Sequence, residues 1–148
     1  LKPAVTVKDG NVTLKKGRDY TVSYSANKGI GTAKVTVTGK GSYTGKITKT
    51  FKINPQGQSI SAKGDKSGKK IAVTLAKHSS NSGYQVSYAD NSGFKNSKSL
   101  WLSGNSKNKG TIKGLKSKKT YYVKARDYKT IGKTKVYGKW SAVKKVSI

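Results

Sequence analysis

One histidine, five aspartates, no glutamate and no cysteine make up the acid–base and metal-binding inventory of this 148-residue chain. His78 lies in AKHSSNSG, a Ser/Asn/Gly-rich stretch with no acid beside it, and reads as a solvent-exposed loop residue. A Ser–His–Asp set drawn from Asp90 and one of several serines would need a geometry that the spacing does not supply. Five isolated aspartates make neither the paired carboxylates of glycoside hydrolysis nor the clustered oxygens of an EF-hand calcium loop. Without cysteine there is no thiol nucleophile and no Cys-type zinc site. We therefore expect a non-enzyme with no catalytic residue, no metal and no cofactor.

The glycines carry no phosphate chemistry either. GIGTAK (29–34) lacks the third glycine of a dinucleotide loop, and GKGSYTGK (39–46) has neither the first glycine nor the closing Ser/Thr of a phosphate loop. Both loop types need a strand-to-helix setting, and these stretches read as hairpin turns. Asn11-Val12-Thr13 matches a glycosylation sequon but reads as an unmodified strand segment.

Charge is the feature that stands out. The chain carries 32 Lys+Arg and a formal charge of +27, shared as +9 over residues 1–55 and +18 over the rest. Such a surface attracts polyanions at long range and binds them by releasing counterions. Two readings follow: the charge holds the module weakly and salt-sensitively to anionic cell-wall polymers or glycans, with no specific nucleic acid, or the lysines are spread too evenly to form a site and only solubilise the surface. Within GLKSKKTYYVKARDY (114–128), Tyr122, Lys124, Arg126 and Tyr128 alternate on one side of a strand, while Tyr121, Val123 and Ala125 take the other. Exposed aromatics beside cations can stack rings and pair with anions. Trp101 in SLWLS and Trp140 in GKW complete the candidate ligand-binding set.

The elements that must position these residues are all strands. Short runs rich in Val, Ile, Thr and Tyr alternate with polar residues and show no helical period. AVTVK (4–8), NVTLK (11–15), DYTVSYS (19–25), AKVTVTG (33–39) and KITKTFKI (46–53) precede Asn54-Pro55-Gln56-Gly57. Proline ends a central strand and glycine frees the backbone, so a domain boundary is expected there. QSISAK (58–63), KIAVTLA (70–76), GYQVSYA (83–89), KSLWLSG (98–104), GTIKG (110–114), TYYVKARDY (120–128) and TKVYGKW running into AVKKVSI (134–148) follow. The expected fold is all-β: two tandem antiparallel β-sandwich modules of immunoglobulin-like type, residues 1–55 and 56–148.

Two resemblances sharpen this. From Leu115 to Ala125, LKSKKTYYVKA is similar to the corner and following strand of fibronectin type III domains, which implies that Tyr121 sits in the core with its hydroxyl bonded to backbone near Leu115. GYQVSYA resembles that family's C strand, and YGKWSAVKKVSI its last strand in bacterial versions. Leu75 stands where the family usually places a buried Trp, which marks a divergent member over about 57–148. Residues 1–55, through VTVKDG, GRDYTVSYSANKGIGTAKVTVTGKGSYTG and KTFKI, resemble the short bacterial immunoglobulin-like repeats of secreted Gram-positive proteins.

These resemblances imply a spacer or presentation module pair in a secreted or wall-associated surface protein, with neighbouring domains of the parent chain as partners. The alternative is an accessory module that holds its parent to anionic wall polymer or glycan. A chain starting at Leu1 without Met is expected to be a piece of a longer one. No apolar run approaches the roughly 18 residues of a membrane span, and no segment reads as a signal peptide.

Overall fold

Residues that alternate β-branched or aromatic with polar side chains pair into antiparallel sheets, one face wet and one buried. The computed structural model describes residues Leu1–Ile148, which form strands and no helix. No helix is long and apolar enough to cross a membrane. The chain divides into two units, Leu1–Ile53 and Asn54–Ile148.

The first unit is a hairpin of β1 (Lys8–Asp9) and β2 (Val12–Thr13), followed by a three-stranded meander of β3 (Tyr20–Ser25), β4 (Gly31–Gly39) and β5 (Lys46–Ile53). Tyr20, Val22, Tyr24, Ala33, Val35 and Phe51 share one face of the meander by register. The amino-terminal arm runs along that face. The Tyr20 hydroxyl donates to the Val5 carbonyl at 3.3 Å, and the Tyr24 hydroxyl donates to that of Pro3. Leu14, Tyr20 and Ala33 form the small buried centre.

The first two strand expectations thus shrink from five residues each to two; beyond that short ladder the Leu14 N–H still reaches the Val7 carbonyl at 2.9 Å, but the Val5 carbonyl takes the Tyr20 hydroxyl instead of a strand partner. Asp19 is buried beside them and accepts the Lys15 N–H at 2.8 Å and the Arg18 Nε–H at 2.7 Å.

The second unit is a two-sheet sandwich. One sheet orders β10 (Lys109–Ile112), β7 (Lys70–Leu75) and β6 (Ile60–Asp65). The other orders β12 (Thr134–Tyr137), β11 (Thr120–Ile131), β8 (Gly83–Ala89) and β9 (Lys98–Ser103), with β13 (Lys144–Ser147) also on β11. The core takes Ile60, Ile71, Val73 and Leu75 from the first sheet and Tyr84, Val86, Tyr121, Val123, Ala125 and Val146 from the second. Burying one such aliphatic side chain stabilises the fold by about 1.5–3 kcal/mol.

The closing strand, expected as one run over 134–148, is interrupted. β12 pairs with Tyr128–Ile131 and β13 with Thr120–Val123, while Gly138–Val143 leaves the ladder. Ser141 replaces the missing ladder bonds: its N–H donates to the Ala125 carbonyl at 2.7 Å, and its hydroxyl accepts the Ala125 N–H at 3.0 Å. This detour sets Trp140 over the outer face of β11.

Candidate functional site

Period-two alternation divides β11 as the sequence requires. Tyr121, Val123, Ala125 and Asp127 face the core and are buried, while Tyr122, Lys124, Arg126 and Tyr128 stand on the opposite face. That face is lined with its own partners. The Lys124 ammonium lies 3.9 Å from the Phe94 ring centre and 4.9 Å from that of Trp140. The Arg126 guanidinium lies 3.7 Å from Tyr137 and 4.2 Å from Trp140, and its Nε–H donates to Gln85 Oε1 at 2.8 Å.

The result is a continuous stack in the order Phe94, Lys124, Trp140, Arg126, Tyr137. Each cation sits between two negative ring faces, a contact that strengthens as water is excluded. Burial lowers the Arg126 pKa, with a smaller opposing effect from Tyr137. An arginine starts so high that it stays charged in the stack.

A second cluster forms further along the same face. Trp101 and Tyr128 meet edge to face with centroids 5.5 Å apart, and Lys135 lies 5.6 and 5.7 Å from the two rings. Trp101 points outward and is 43% exposed, whereas its neighbours Leu100 and Leu102 pack against the core. Tyr128, expected as an exposed member of the strip, lies on the right face but is only 5% exposed. The cause is local. Gly83 sits directly opposite in β8, and a Cβ there would stand 2.8 Å from the Tyr128 hydroxyl and 2.3 Å from the Leu102 carbonyl oxygen.

The six sequence candidates therefore divide. Lys124, Arg126 and Trp140 join one stack, Trp101 and Tyr128 the other, and half-buried Tyr122 joins neither. Phe94, Gln85, Lys135 and Tyr137 were missed by sequence reasoning. Tyr137 had a readable signal, since a hairpin closing after Ile131 sets it opposite Tyr128. Phe94 comes from a loop, in a left-handed conformation (φ 56°), and no periodicity announces it.

Below this face lies the corner. Leu115 and Tyr121 are buried, and the Tyr121 hydroxyl accepts the Lys116 N–H at 2.9 Å. It fixes the turn that leads into β11.

His78 is not the exposed loop residue expected from its neighbours. Its side chain is 17% exposed, and Nδ1 lies 2.6 Å from Oδ2 of Asp127, which is itself 1% exposed. The other carboxylate oxygen accepts Gln58 Nε2–H at 2.6 Å. The His78 backbone N–H donates to the Tyr84 hydroxyl at 3.1 Å, which donates onward to the Asn105 carbonyl at 2.7 Å.

The acid paired with His78 is Asp127 rather than Asp90, which is exposed and bonded only to Asn91 at 3.4 Å. With Asp127 ionised, Nδ1 carries the proton. The couple has the orienting half of a nucleophilic triad, but no serine hydroxyl bonds His78. No group of three or more His, Asp or Glu is placed to hold a metal.

The sequence matches no established protein-family profile and no curated protein. Among solved structures the chain is similar to the crystal structure of chicken CNTN1 FN1-FN3 domains, with a TM-score of 0.53 and 16% sequence identity. The match covers 86% of this chain and spans 55% of the length of that one. At that identity the likeness carries the fold, a fibronectin type III and immunoglobulin-like β-sandwich.

Proposed function

We propose that the chain is a non-catalytic module pair of a secreted or wall-associated multidomain surface protein, from a Gram-positive bacterium. A small immunoglobulin-like module over 1–55 precedes a fibronectin type III module over 56–148, and together they space or present domains elsewhere in the parent. The observation that carries this reading is the closed stack on β11. Lys124 and Arg126 are already held between Phe94, Trp140 and Tyr137, so the most distinctive outer face is spent on holding the sandwich together. Bacterial origin and surface location rest on the sequence resemblances given above.

A second reading is favoured by a different observation. Trp101 is 43% exposed beside Lys135, and the whole chain carries +27. In this reading the face formed by Trp101, Tyr122, Lys124, Arg126, Tyr128 and Trp140 is an accessory site for anionic wall polymer or glycan. Cosedimentation with purified Gram-positive walls across a salt series separates the two. The spacer reading predicts retention that falls steeply with salt, as counterion release requires, and that is unchanged by Trp101→Ala with Tyr122→Ala. Retention that survives salt and is lost in the double variant would favour the accessory site instead.

A further inference from the structure

At the corner end of the second unit, a recess of about 410 Å³ opens between the β8–β9 connection and the turn after β10. That size falls within the roughly 300–1,000 Å³ of small-ligand sites. Lys95 and Lys98 line one side, Lys113 and Lys116 the other, and Tyr88 and Leu115 also line it. All four lysines are exposed, and none of the ion pairs in the chain involves them. Asp90 is the one acid in the lining.

Both walls are fixed before any ligand arrives. On the first, Asn91 brackets the loop: its Oδ1 accepts the Lys95 N–H at 2.8 Å and its Nδ2–H donates to the Lys95 carbonyl at 2.9 Å. Phe94 and Asn96 hold left-handed conformations, φ 56° and 54°, uncommon for a bulky Phe and readily adopted by Asn. Phe94 is pinned beneath Lys124. On the second wall, the Leu115 N–H donates to the Lys69 carbonyl at 3.0 Å, and the Lys116 N–H to the Tyr121 hydroxyl. The corner tyrosine thus has a second consequence, which is to hold the Lys113–Lys116 turn against the recess.

We propose that this recess binds an anionic saccharide, such as a uronic-acid oligomer. Four unpaired ammonium groups suit carboxylates carried along a flexible chain. Half-buried Tyr88 offers ring surface to the C–H face of a sugar ring, and the exposed Asn96 amide serves its hydroxyls. Because the backbone of both walls is already ordered, the freedom lost on binding is mainly that of the lysine side chains.

The test uses the full chain and three probes at about 0.15 M salt, where exposed charges more than about 8 Å apart are screened. The probes are tetragalacturonate, a neutral tetrasaccharide and a polyglutamate of matched charge. Affinity is read by calorimetry, and the site by backbone amide shifts. Tetragalacturonate is expected to bind more tightly than the other two, with shifts confined to 88–98 and 113–121. Lys98→Gln with Lys113→Gln should weaken it roughly tenfold, the loss expected for two solvent-exposed charge pairs. Lys133→Gln with Lys144→Gln, outside the recess, should change it by less than about twofold. Absent binding, equal affinity for polyglutamate, equal loss in the two doubles, or shifts centred elsewhere would each overturn the site.

Discussion

His78 Nδ1 and Asp127 Oδ2 stand 2.6 Å apart, and they join a loop to a strand 49 residues further along the chain. Asp127 has no lysine or arginine partner, and it is one of the most deeply buried side chains. Gln58 completes the cluster, bonding Asp127 with its amide N–H and bridging to the Ala76 backbone through both ends of its amide. Three segments are therefore bolted together by one carboxylate: the entry to the second unit, the loop after β7 and the middle of β11.

Removing His78 leaves a buried Asp127 oxygen without its hydrogen-bond partner. His78→Ala is expected to destabilise the second unit by about 1–3 kcal/mol, the cost of an unsatisfied buried polar group. Urea unfolding followed by tryptophan fluorescence measures it. Unchanged stability would mean that Asp127 is adequately solvated without the imidazole.

The corner gives a matched pair of substitutions on adjacent residues. Tyr121→Phe removes the acceptor of the Lys116 N–H and should cost about 1 kcal/mol. Tyr122→Phe, on the other face and outside both aromatic clusters, should change little. Equal losses would contradict the strand register.

Asp65 supplies a pH prediction. The Gly68 N–H, the Ser67 hydroxyl and Lys70 hold its carboxyl pKa at about 2, below the ordinary 3.8. A lowered folded pKa favours folding above the ordinary value, and this contribution is lost as the pH falls from about 4 towards 2. A carbon-detected titration of the Asp65 carboxyl should show a midpoint near 2, moving upward in Ser67→Ala. A wild-type midpoint near 3.8 would show the turn to be open in solution.

How much of this was legible in the sequence depends on distance along the chain. GYQVSYA read as a strand and is β8 over the same residues, because alternation is a local property. Alternation also placed Tyr122, Lys124, Arg126 and Tyr128 on a common face. It could not show that the face was filled, since the filling comes from elsewhere. Phe94 arrives on a loop, Trp140 on a detour held by Ser141, and Tyr137 from across a hairpin. The His78–Asp127 couple was hidden for the same reason, as residues near His78 in sequence carry no acid. The amino-terminal strands were overread because local β-propensity does not reveal that the Val5 carbonyl will take a distant tyrosine hydroxyl in place of a strand partner.

The central claim is that the cations of β11 stabilise the sandwich through the rings that enclose them. A double-mutant cycle between Arg126 and Trp140 tests it most directly, using Arg126→Gln, Trp140→Leu and the double variant in chemical denaturation. A contact 4.2 Å from ring centre to guanidinium, partly desolvated, should give a coupling of about 1–2 kcal/mol. A coupling near zero would contradict the account and leave those residues free for a ligand.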